Sequence, residues 1–160
     1  MSRYANHTNV SKDRSLAEIE ATLSRYGATD FVYGWSQTSA VVGFVLQQRQ
    51  IKMTIPFPSR NDPAIEMTPS GQWVRSEKQQ QEAYDRAIRQ RWRALALYIK
   101  ATLEAAEAGI ITLEDAFLAY TALPGGMTTS AWIQAHIDTA YRTGQIPPLL
   151  PLLAPPGEAR

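Results

Sequence analysis

Residues 77–108 read EKQQQEAYDRAIRQRWRALALYIKATLEAAEA, and no other stretch of the 160-residue chain is as long or as periodic. At 100° per residue, Tyr84, Ile88, Trp92, Leu95, Tyr98, Ile99 and Leu103 fall on one broad arc, while Arg86, Arg89, Arg93 and Lys100 share a narrow opposite one. The pattern predicts one long helix with an apolar face toward a core and a basic face away from it. Arg91 falls inside the apolar arc, so its charge needs an answer. Its head reaches an edge, or it meets a carboxylate from another element, or that end of the helix projects from the body.

Upstream of this helix the period changes. Ser15-Leu16-Ala17-Glu18 has capping-box spacing, and Leu16, Ile19, Leu23 and Tyr26 recur on a stripe that ends at Gly27, which predicts a helix over about residues 16–26. From Asp30 the period is two: Phe31, Tyr33 and Trp35 alternate with Val32 and Gly34. Ala40 to Leu46 is apolar on both faces, and Ile51, Met53, Ile55 and Phe57 alternate with Lys52, Thr54 and Pro56. Short polar joints at residues 37–39 and 48–50 imply an antiparallel meander.

Residues 58–76 hold three prolines and a glycine with no sustained period, so they predict a long loop in which Trp73 lies beside Arg75. After Gly109, Thr112 with Glu114 and Asp115 predicts a short helix to about Thr121, and Thr128 or Thr129 caps another that ends at Gly144. The tail, IPPLLPLLAPP, is too rich in proline for a helix and reads as extended chain that docks beside Trp132 and Tyr141 or serves as a polyproline ligand. The expected architecture is therefore α+β: a three-stranded antiparallel meander covered on one face by an N-terminal helix and one long helix, with two short C-terminal helices. An irregular arm over residues 1–14 precedes a single domain over 15–144, and the Pro-rich tail covers 145–160.

Composition narrows the functional classes. With 44% hydrophobic residues the chain can bury a core, and with no cysteine it has neither disulfides nor thiolate chemistry. No apolar run approaches a membrane span, so the expected compartment is the cytoplasm. The net charge of +1 hides a split: Lys and Arg outnumber Asp and Glu by 14 to 9 in residues 1–100 and are outnumbered 2 to 6 afterwards. A basic first part suits a polyanion.

The residues singled out for nucleic-acid binding are Arg86, Arg89, Arg93 and Lys100, whose cations could meet successive phosphates, and Trp73 with Arg75, a stacking group next to a cation. Each has a plainer reading, as a solvated face or, for Trp73, as an anchor under the loop. Tyr33 and Trp35 could form a base-stacking platform, but two amphipathic helices need a sheet to cover, which favours a core role. His7 and His136 share no ligand spacing, so no metal site is expected, and His136 reads as a core-edge histidine with one hydrogen bond. No phosphate loop, dinucleotide fingerprint or nucleophile elbow is present, and neither cofactor nor enzymatic activity is expected.

Tyr4-Ala5-Asn6, Arg14-Ser15, Glu18-Ile19 and Arg25-Tyr26-Gly27-Ala28 resemble the start of an uncharacterised family of small phage and prophage proteins. Arg91-Trp92-Arg93-Ala94-Leu95, Ile99-Lys100 and the segment Gly144 to Pro151 are similar to that family's second half. The resemblance implies a mobile-element origin and carries over no active residues. It leaves two partner classes open: DNA or RNA, for an accessory protein of DNA metabolism or recombination, and a host protein complex, for an anti-CRISPR-like inhibitor of host defence. The order helix, three strands, helix also resembles the double-stranded-RNA-binding domain in topology, but the lysine cluster and histidine-bearing loop of that domain are missing.

Overall fold

The computed structural model describes residues 12–146; the expected arm up to residue 11 and the tail from residue 147 lie outside the described residues. Helix α1 (Lys12–Arg25) leads into three strands, β1 (Thr29–Trp35), β2 (Ser39–Leu46) and β3 (Arg49–Pro56). A short helix α2 (Pro63–Glu66) precedes the long helix α3 (Glu77–Glu107), and α4 (Leu113–Phe117), a 3-10 turn (Leu118–Tyr120) and α5 (Thr129–Thr143) complete the chain. The strands form one antiparallel sheet in the order β1-β2-β3, as the alternation predicts.

Alternation along β2 and β3 gives the sheet one apolar face: Ala40, Val42, Phe44 and Leu46 lie beside Ile51, Met53 and Ile55, all buried. Helices α1 and α3 cover that face with Leu16, Ile19, Leu23, Trp92, Ala96, Ile99 and Leu103. Glu18 meets Arg93, and Tyr26 further along meets Glu107, so the two helices run in the same direction. Phe117 of α4 enters the same core and packs edge-on against Phe44, with ring centroids 5.8 Å apart.

Local chemistry sets the boundaries. Ser76 starts α3 with a capping box: its Oγ accepts the Gln79 N–H at 3.4 Å while its own N–H donates to Gln79 Oε1 at 3.1 Å. Thr112 and Thr128 cap α4 and α5 as their positions suggest, and Gly144 ends α5 at φ 70°. The turn between β2 and β3 holds Gln47 and Gln48 at φ 49° and 63°. Left-handed backbone at both central residues is the twist a two-residue hairpin requires, here without the usual Asn-Gly.

Three expectations are corrected. Helix α1 begins by Lys12, a turn earlier than the Ser15 cap implied, and Ser15 is wholly buried within it, its Oγ without a hydrogen-bond partner among the described residues. A buried serine on the packed stripe cannot also serve as a cap. The 58–76 stretch is not a bare loop, because Asp62 caps α2 and Met67 pairs with Val74 across a small hairpin. His136 lies on α5, none of whose residues belongs to the core, beside the Trp132 ring, and its buried Nδ1 makes no hydrogen bond among the described residues.

Two substitutions test this core. Phe117→Ala is expected to cost about 3–5 kcal/mol in urea unfolding, as a fully buried aromatic in a packed cluster should. Ser15→Ala is expected to raise stability by about 1 kcal/mol, because it removes an unsatisfied buried hydroxyl and installs the best helix former.

Candidate nucleic-acid interface

The basic arc of α3 is also the side on which α1 lies, and that determines what each cation does. The Arg93 guanidinium is drawn into the seam between the helices and pairs with Glu18, both side chains partly buried. Lys100 stays outside and forms an exposed i,i+4 pair with Glu104 at 3.9 Å. Arg86 is exposed and Arg89 half-buried, and neither makes an ion pair among the described residues. The expected row of four cations is thus reduced to two that are uncommitted, separated from Lys100 by a guanidinium held in the fold. Arg91, the cation within the apolar arc, donates to the carbonyl of Pro56 at the end of β3. A backbone oxygen answers it rather than a carboxylate.

Of the two marked loop residues, Arg75 lines a cleft with Arg86. Arg75 is committed: its Nη1 donates to the carbonyls of Ala64 at 2.7 Å and Ile65 at 2.9 Å, satisfying groups that the short α2 leaves open. By holding α2 it fixes the hairpin over residues 67–74, in which the Thr68 N–H donates to the Trp73 carbonyl at 2.8 Å. Trp73 is not the anchor under the loop; the residue is 72% exposed. Thr68, Pro69, Arg75, Glu82 and Arg86 line a cleft of about 180 Å³ between hairpin and helix, and Trp73, on the same hairpin, is not among the residues that line it. Glu82 in the same cleft moderates its positive potential. The loop is docked further by Arg60, whose guanidinium lies 4.4 Å from the Tyr84 ring and donates to Gln81 Oε1 at 3.0 Å.

Tyr33 and Trp35 depart from the core reading. They share the helix-covered face by register with Val42 and Ala40, yet β1 is the outermost strand and the helix layer stops short of it. Tyr33 is 45% and Trp35 69% exposed, stacked on each other at 6.0 Å with Lys12 Nζ 5.4 Å from the Trp35 ring.

The opposite end of the molecule is acidic. A cleft of about 1030 Å³ between the ends of α1 and α3 and the start of α4 is lined by Arg25 together with Glu104, Glu107, Glu114 and Asp115. These acids lie on two helices, and only the fold brings them together. Among the described residues no group of three or more His, Cys, Asp or Glu could hold a metal ion. The Tyr26 hydroxyl donates to Glu107 Oε2 at 2.5 Å, and this bond is the largest cause of a phenol pKa raised above the usual tyrosine value. No helix among the described residues is long and apolar enough to cross a membrane.

No protein-family model, no curated protein and no solved structure matches this chain.

The Tyr26 contact gives a pH prediction with a definite sign. A phenol whose folded pKa lies above its unfolded value stabilises the fold fully below about pH 10, and that stabilisation disappears as pH rises through the folded pKa. Glu107→Gln is therefore expected to lower the Tyr26 midpoint, read as the difference in tyrosinate absorbance between each chain and its Tyr26→Phe partner. An unchanged midpoint would exclude the carboxylate as its cause.

Proposed function

We propose that this chain is a non-enzymatic accessory protein of phage or mobile-element origin that associates with nucleic acid in DNA metabolism or recombination. Arg86 and Arg89 meet the phosphates and Trp73 stacks on a base. The observation that carries this reading is Trp73 itself. A tryptophan 72% exposed serves no core, and this one stands on a hairpin braced by Arg75, whose Thr68 and Pro69 share a cleft with the uncommitted Arg86. A stacking face beside forked donors is a sequence-tolerant way to hold a single strand, which fits an accessory role better than base-edge readout. Arg93 contributes through the seam with α1 rather than by touching phosphate, and Lys100 lies too far along the helix to join the same cluster.

A second reading, a protein-binding inhibitor of a host defence complex, is favoured by a different surface. Helix α5 buries none of its residues and exposes Trp132, Ile137 and Tyr141. Exposed apolar groups gathered on one element suit a protein interface.

Gel shifts with single- and double-stranded DNA and single-stranded RNA, from about 50 mM salt upward, separate the two readings, since phosphate binding makes log affinity fall linearly with log salt. Arg86→Ala and Arg89→Ala are each expected to reduce that slope by about 1. Trp73→Ala is expected to cost about 1–3 kcal/mol on single strands. Absence of any shift at about 50 mM salt would overturn the nucleic-acid reading.

A further inference from the structure

The two edges of the sheet are treated differently. The outer edge of β3 is closed by its own chain: Thr121 bridges Ile51, the Ala122 N–H donates to the Gln50 carbonyl at 2.7 Å, and Lys52 Nζ reaches the Gly126 carbonyl at 3.2 Å. The outer edge of β1 has no such cover among the described residues. Edge strands are usually blunted by lysine, proline or an inward charge, yet residues 31–35, Phe-Val-Tyr-Gly-Trp, contain none of these. Val32 on one face and Trp35 on the other are both mostly exposed.

We propose that β1 is the interface of a homodimer, pairing antiparallel with β1 of a second copy about a two-fold axis at Tyr33 to give one continuous six-stranded sheet. The register follows from the hydrogen-bond alternation. The Ser36 N–H bonds to the Ser39 carbonyl at 2.8 Å, so the Ser36 backbone faces β2, and so by alternation do Gly34 and Val32. The N–H and C=O groups of Tyr33 and Trp35 therefore point outward, and the regular alternation ends at Val32, because Phe31 lies within the bulge between Thr29 and Val32. Centring on Tyr33 matches its outward groups to those of its own copy and sets Trp35 opposite the bulged Phe31 of the second chain.

Charge and space favour a second copy. The paired segment is uncharged, so no like charges meet across the axis. Asp30 at one end of the strand comes toward the other chain's Lys12, which lies over Trp35 at the opposite end. The helix layer leaves Tyr33 and Trp35 uncovered, so that face has room for the matching aromatics, and cross-strand aromatic pairs of this kind stabilise a sheet. Residues 1–11, MSRYANHTNVS, are a poor substitute strand, being mostly polar with two asparagines. The inference is independent of the nucleic-acid reading, whose residues lie on α3 and the 67–74 hairpin.

Light scattering of the full chain from about 5 to 200 µM should show a concentration-dependent rise toward twice the 17.8 kDa chain mass. Because the chain has no cysteine, Tyr33→Cys introduces a single thiol, and residues opposed in a hydrogen-bonded pair sit about 5.5 Å apart, within disulfide reach. Under mild oxidation at about 10 µM it should cross-link roughly 100-fold faster than the exposed control Ser24→Cys, as a pre-formed pair would. Tyr33→Lys should abolish the mass increase while circular dichroism stays native. A chain that remains monomeric at the top concentration overturns the proposal, and this is also what coverage of β1 by its own residues or by a different protein would give. A dimer that survives Tyr33→Lys, or a Tyr33→Cys chain that oxidises no faster than the control, overturns it as well.

Discussion

The burial of α3 on the sheet is the contact on which the rest of the molecule depends, and its lengths do not match. At 1.5 Å per residue the 31 residues of α3 span about 46 Å, whereas strands of eight residues span about 26 Å. The C-terminal half of the helix finds the sheet, and Trp92, Ala96, Ile99 and Leu103 are buried there. The N-terminal half overhangs. Its apolar face still begins at Tyr84, and an apolar stripe left in water would not hold a helix of this length. The segment between β3 and α3 supplies the missing cover, with Pro58 and Ile65 buried and Arg60 lying over Tyr84. What composition presents as a structureless loop is a second, smaller roof for the long helix. That same roof lifts Trp73 into solvent.

Periodicity made most of the framework readable. Ile51, Met53 and Ile55 alternate so regularly that β3 has one possible buried face, and the β2 run is buried on one face and half-covered on the other. The failures share a cause, which is that a helical wheel fixes angles within a helix and says nothing about where neighbours stand. Arg93 lies on the polar arc, which suggests a phosphate contact or a solvated face, but α1 occupies that side of α3, so its guanidinium serves the seam. Tyr33 and Trp35 point to the correct face of the sheet, but β1 is an edge and the helices do not reach it. Ser15 fits a capping pattern by spacing alone, and the pattern carries no information on the helical turn that precedes it. The Gln47-Gln48 turn has no propensity signal because neither residue favours a left-handed backbone; the pairing of β2 with β3 imposes it.

The candidate site was legible in part, and the illegible part is informative. Six residues were marked, and the fold commits Arg75 to the carbonyls that end α2, Arg93 to Glu18 and Lys100 to Glu104. Arg75 serves the fold through one guanidinium nitrogen that donates to two carbonyls of α2, and Arg93 through its contact with Glu18 across the seam to α1. Their loss would disturb the interface indirectly: removing Arg75 frees α2 and with it the hairpin that carries Trp73. A cationic face counted from sequence is thus an upper bound on the charge offered to a partner, because each guanidinium that stabilises the fold must be subtracted before phosphates are counted. The remainder here, Arg86 and Arg89 together with an exposed Trp73 on the 67–74 hairpin, is small, so any affinity for nucleic acid has to draw on stacking and on whatever doubling of the site a second copy provides.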